Sequence, residues 1–183
     1  MHGETRNYET QVAKDILNEF GITTRDKLPV DMDAILTAKG FTVSERNLPE
    51  DLAAVLDTRT AGKPILLVDR HLDLPKKRFV KACELGHFLL DGDFTGVRMD
   101  KKAFFSQALS GLPADESERR ANRFAYALLM PKKILEEQAQ KNNGKSDDDF
   151  ASTLAAVFGV SVLAVAVGFV ISALLSDNKG KKK

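Results

Sequence analysis

Cys83, Glu84 and His87 stand in the order ligand, base, ligand, one residue type away from His-Glu-x-x-His. That spacing sets two metal donors four residues apart on one helical face. A glutamate lies about 100° round beside them as general base. These are the residue types of zinc-dependent peptide hydrolysis. The departure is Cys83, the chain's single cysteine, which reads either as a thiolate ligand to zinc or as the mark of a site that has lost its metal. A plainer reading stands beside both. Glu-Leu-Gly-His on an amphipathic helix can be ordinary core packing, and free cysteine is among the most buried residue types.

A third protein ligand has to come from another helix, and Glu116 to Ala125 offers one. Glu118, Asn122 and Ala125 share a face there, and the small Ala121 and Ala125 let two helices approach closely. Glu118 is the preferred ligand, with Glu116 as the alternative.

The elements that must position these residues follow from periodicity. Val12, Ile16, Leu17 and Phe20 predict a helix over about Glu9 to Phe20, and a second runs from Val30 to Lys39. Phe41–Val43, Leu52–Leu56 and Ile65–Val68 read as strands, the last two joined by the turn Thr60–Lys63 as a hairpin. They predict a small antiparallel sheet of about three strands. From Pro75 a helix carries the motif until Asp91-Gly92-Asp93, and Lys101–Leu109 forms a shorter one. Another helix, capped by Asp115 or Ser117, runs to Met130; Pro131 separates it from one beginning near Lys132. Mostly helix, a small sheet, then helices is an α+β pattern. One domain is expected over residues 1–146, with a C-terminal apolar segment and Lys-rich tail over 147–183.

The block Arg78-Phe79-Val80-Lys81-Ala82-Cys83-Glu84-Leu85-Gly86-His87-Phe88-Leu89-Leu90 resembles the zinc-motif helix of the ImmA/IrrE metallopeptidases. A second block, Glu118-x-x-Ala121-Asn122-x-Phe124-Ala125-x-x-Leu128-Leu129-Met130-Pro131, is similar to that family's other hallmark. Leu28-Pro29-Val30-Asp31 resembles its Pro-Val-Asp helix. The resemblance implies a mostly helical, zincin-like fold holding Zn²⁺, with Glu84 as general base and His87 and Glu118 as ligands. Cys83 stands where the family has its first histidine, and Asn122 falls on the family's asparagine, a residue that packs or orients. Asp91 departs from a histidine common in relatives and carries little weight. The implied activity is cleavage of a protein substrate, a helix-turn-helix repressor of a mobile element or stress regulon.

A thiolate reaches zinc at about 2.3 Å against ~2.0–2.1 Å for imidazole, so cysteine fits the position with little backbone change. With Glu118 it would add a second negative charge and formally cancel the ion's own. That weakens the ion as a Lewis acid and predicts a slower enzyme. The alternative is a non-catalytic interaction module, or a redox- or metal-sensing one, on the same scaffold.

Composition narrows the classes. The chain of 183 residues is 43% hydrophobic and 29% charged with a net charge of +1, so no global charge draws it to nucleic acid or anionic membrane. A single cysteine excludes an internal disulfide and fits a reducing compartment. Met1–Thr5 has no apolar signal region, and a cytoplasmic protein is expected. Leu154 to Leu175 is uncharged, long enough by the ~20-residue rule to span a membrane. The competing reading, two helices broken at Gly159-Val160-Ser161, is preferred. The lysines that follow would otherwise place a free-thiol domain without a signal outside the cell. Ala156, Val157, Val162, Leu163 and Ala166 then leave an apolar outer face suited to a partner or a second copy. Val160 to Ser176 has no basic residue, so direct nucleic-acid binding is not expected.

Overall fold

Asp73 begins the helix that carries the motif. Its carboxylate accepts a hydrogen bond from the Lys76 amide at 2.9 Å, and Leu74 and Pro75 fill the first turn, where proline's missing N–H costs nothing. The computed structural model describes residues 8–92, 94–102, 115–142, 144 and 146–176, with side chains through residue 169. By contacts the chain divides into two units: Asp31 to Asn122, and the described residues up to Val30 together with those from Arg123 on.

The first unit opens with a short helix and holds the sheet. Numbered through the chain, α1 is Tyr8–Glu19, α2 Met32–Ala38, β1 Thr42–Arg46, β2 Leu52–Asp57, β3 Ile65–Asp69, α3 Leu74–Leu90 and β4 Val97–Lys101. Asp31 caps α2 by accepting from the Ala34 amide. The sheet runs in the order β1-β3-β2-β4. β2 and β3 form the expected antiparallel hairpin, β1 lies parallel to β3, and β4 adds antiparallel to β2. The sheet is thus mixed and four-stranded among the described residues, where the sequence predicts about three antiparallel strands. α3 packs on β2 and β3, and α2 packs on α3 and β1. Leu56, Leu66, Val68, Val80 and Leu85 are buried.

β4 reads poorly because its alternation is inverted. Val97 and Met99 are exposed, whereas Arg98 and Asp100 point inward. Arg98 sits opposite Leu56 and Asp100 opposite Ala54, both buried positions of β2, with a bulge at Ala53. Edge strands often carry inward charges. The Thr58 hydroxyl donates to the Phe94 carbonyl at 2.8 Å and accepts from the Gly96 amide at 3.1 Å, fixing the chain that enters β4. The helix expected over Lys101–Leu109 starts on the last residue of β4, and its remainder from residue 103 lies outside the described residues.

α4 (Glu116–Leu129) follows, and its first turns, to Asn122, belong to the same unit. In the second unit α5 spans Lys132–Lys141, α6 Asp147–Phe158 and α7 Val162–Ser176. The composition change expected near residue 146 falls inside this unit. α6 packs on α5 and α7, and Glu9 of α1, fully buried, pairs with Arg123 at 3.1 Å. Gly159 ends α6 at φ +63°, a backbone that disfavours any side chain. Among the described residues no single helix is long and apolar enough to cross a membrane; α6 and α7 pass together, but bent by 96°. Ala156, Val162, Leu163 and Ala166 are exposed and Val157 is half-buried.

Replacing Asp73 by alanine removes the cap of α3 and should lower stability by about 1 kcal/mol in urea titrations, whereas Asp73→Asn should keep most of it.

Candidate metal centre

Two helices face each other in antiparallel rungs one turn apart. Cys83 of α3 meets Asn122 of α4, its thiol donating to Oδ1 at 3.4 Å. One turn on, His87 meets Glu118, Nε2 to Oε1 at 3.5 Å. At the C-terminal end of α3, Arg120 donates to the Leu90 carbonyl at 2.8 Å. The amide of Ser117 is capped by Asp115 at 2.6 Å, which starts α4 as one of the two expected caps. Small Ala82 and Ala121, both buried, accompany these rungs.

Asp91 sets the state of His87. Its Oδ2 lies 2.8 Å from Nδ1 and accepts the Ser117 hydroxyl at 2.6 Å. Burial alone would raise the Asp91 pKa, but the hydrogen bonds from Ser117 and His87 and the charge of Arg98 hold it below the ordinary value. An ionised carboxylate is only an acceptor, so Nδ1 donates to it and Nε2 is the ring nitrogen that faces Glu118. That Nε2 is buried without a hydrogen-bond partner. Glu118 opposite it is also an ionised acceptor: burial raises its pKa, and His87 and Arg98 more than offset the rise. Two lone pairs at 3.5 Å need a positive charge between them, either a second proton on the ring or a cation.

β4 brings the remaining charges. Arg98 bonds Glu118 through Nη2, reaches Asp100 at 3.3 Å through Nε and stands 3.5 Å from Asp91. Burial would lower its pKa, but Glu118, Asp100 and Glu84 hold it raised, so the guanidinium stays charged. His87, Asp100 and Glu118 each offer one donor atom, all within 4.8 Å of one another. Neither oxygen of Glu84 receives a hydrogen bond from a donor, and the residue is wholly buried. Burial first, then the charge of Asp100, pushes its pKa well above the carboxylate range. As two anions Glu84 and Asp100 repel, whereas a proton on Glu84 makes it a donor to Asp100.

The structure therefore brings together His87, Glu118 and Glu84 of the residues singled out from sequence. Cys83 and Asn122 form the adjoining rung, and Cys83 lies outside the three-donor cluster. Burial, followed by the charges of Asp100, Glu84 and Glu118, raises the thiol pKa and keeps it protonated. Glu116, the alternative ligand, is exposed and paired with Arg119. Sequence reasoning missed Asp100 and Arg98, whose signal was the inverted alternation of Val97 to Lys101. It also gave too little weight to Asp91, four residues after His87 and therefore on the same helical face.

One imidazole nitrogen aimed with its lone pair at two carboxylates, buried and unpartnered, is a donor set that fits a divalent metal ion. A cleft lined by Leu56, Thr58, His87, Phe88, Asp91, Gly92, Phe94 and Arg98 opens beside it.

No curated protein matches the chain closely enough to count as a relative. The family model of the IrrE N-terminal-like domain matches residues 37–169, which takes in α3, β4 and α4 and most of the chain. This chain belongs to that peptidase family.

Proposed function

We propose that the protein is an intracellular metal-dependent endopeptidase with Zn²⁺ as its ion. Its substrate would be another protein, a helix-turn-helix transcriptional repressor. The observation that carries this reading is the buried, unpartnered Nε2 of His87, held toward Glu118 by Asp91 and Ser117. His87 and Glu118 hold the ion. When bound, a divalent ion supplies Lewis acidity to a peptide carbonyl and eases deprotonation of water.

The chain's own groups do the rest. Asp91 fixes the tautomer and ring orientation of His87. Glu84 holds a proton through burial and the charge of Asp100; ionised beside the positive charge of a bound ion, it would take the proton of the attacking water and pass it to the leaving amine. Leu56, Phe88 and Phe94 give the cleft apolar walls that limit water around the reacting bond. Two anionic carboxyls beside the ion reduce its Lewis acidity, so catalysis is slower than an imidazole at position 83 would allow. The exposed Val162 and Leu163 of α7 suit a partner or a second copy.

A second reading has one observation in its favour. The guanidinium of Arg98 already neutralises Glu118, as a metal would, and a non-catalytic interaction module needs nothing more.

Metal analysis of the purified full chain separates the two. One ion per chain, lost in His87→Ala and Glu118→Gln, is expected of the peptidase; fully folded protein that binds no metal would favour the module. Glu84→Gln should keep the ion but slow cleavage of a helix-turn-helix repressor substrate by about 10²-fold or more. Cys83→His, which supplies the missing imidazole, should raise the cleavage rate.

Glu84→Gln also has a readout without metal. The raised pKa of Glu84 means that the folded chain keeps a proton the unfolded chain has lost above the ordinary value of 4.5. Stability from this group is therefore present below that pH and declines as pH rises toward the folded pKa. Denaturant titrations of metal-free protein between pH 5 and pH 8, roughly the span over which most domains are most stable, should show that decline in wild type. The decline should be flatter in Glu84→Gln.

A further inference from the structure

We propose that Asp100 of β4, and not Cys83, completes the metal site, giving a donor set of His87, Asp100 and Glu118. The inference rests on the reading that the site holds a metal ion, and it changes which residue supplies the third ligand. Each donor comes from a different element: α3, β4 and α4. One atom from each lies within 4.8 Å of the others, close enough for a single ion to bridge all three after small side-chain rotations.

Within the sheet Asp100 pairs with Arg98 of its own strand at 3.3 Å, which offsets its charge in part. Aspartate is depleted in strands, and a buried carboxylate is costly unless its charge is compensated. Asp100 is nonetheless buried, on the inward face of an edge strand, opposite small Ala54. The bulge at Ala53 lies next to that pair, and bulges commonly re-aim a side chain beside a functional site. Independently, Nε2 of His87, on a side chain 2% exposed, is buried without a hydrogen-bond partner and is directed at Glu118 3.5 Å away. Cys83 is committed elsewhere: its thiol donates to Asn122, one turn back along α3. A thiolate there would also lose that hydrogen bond, because the Asn122 Oδ1 is an acceptor.

The exchange of cations is balanced. Asp100 and Glu118 together carry two negative charges, which Arg98 offsets only in part. A divalent ion replaces the guanidinium at both carboxylates and leaves Arg98 beside Asp91, already 3.5 Å away. One nitrogen and two oxygens make a harder donor set than one with a thiolate. Such a set suits zinc and the harder first-row divalent ions.

The test loads metal-free full-length protein with Co²⁺ under reducing conditions and records its absorption spectrum, with Zn²⁺ affinity measured by calorimetry. The expected result is one ion per chain, no sulfur-to-cobalt charge-transfer band, and an unchanged spectrum in Cys83→Ala. Asp100→Asn should weaken Zn²⁺ binding by about a hundredfold or more, beyond the ~10–100-fold typical of losing an orienting partner. A charge-transfer band that disappears in Cys83→Ala would overturn the inference while leaving the metal site intact. Wild-type protein that binds neither ion would overturn the metal reading beneath it. The wild-type spectrum decides the thiolate question even where Asp100→Asn fails to fold.

Discussion

Four carboxyl groups, Glu84, Asp91, Asp100 and Glu118, converge on one imidazole and one guanidinium within a largely buried region. Buried charge of one sign is expensive, and the site can exist only where something compensates it. Each group shows how. Asp91 and Glu118 stay ionised because hydrogen bonds and Arg98 outweigh their burial. Glu84 has no such support and holds its proton. The arrangement leaves the buried Nε2 of His87 without a hydrogen-bond partner, 3.5 Å from Glu118.

Everything else in the first unit serves to hold that cluster in place. α3 and α4 are joined by rungs at one-turn spacing, so Cys83–Asn122 fixes the register in which His87 meets Glu118. The sheet supplies the third side. β2 is hydrogen-bonded on both edges, and β4 pairs with it in a register that turns Arg98 and Asp100 inward. Thr58, immediately after β2, holds the chain that enters β4. A shift of one residue in β4 would send both charges outward and Met99 inward, which would empty the site of its cation and one of its acids.

What the sequence made legible follows the same physics. The 3.6-residue periodicity marked α3 and α4, motif spacing put Glu84 and His87 together, and the resemblance of the second helical block added Glu118. Proline and glycine placed the breaks at Pro131 and Gly159. β4 was illegible because a strand is recognised by apolar residues facing the core, and Val97 and Met99 face outward. The parallel pairing of β1 with β3 was hidden for another reason. It depends on β2 folding back as a hairpin between β3 and β4, a choice made by tertiary packing and not by residues 42–46 themselves. Asp100 could not be read as part of the site before β4 itself was known.

The cysteine shows that spacing and chemistry are separable. Position 83 sits on the correct face of α3, one turn before His87, and so must contact α4 whatever residue it carries. A cysteine satisfies that contact as a small buried side chain with a weak donor, and Asn122 offers the acceptor. Position 83 can therefore keep the helices in register without itself binding a cation. The electrostatic demand remains, because His87 and Glu118 still face each other with lone pairs. The strand that crosses beside them carries the acid nearest to meeting it. A motif read along one helix records where donors are able to stand; the charge around the empty position decides which of them are needed.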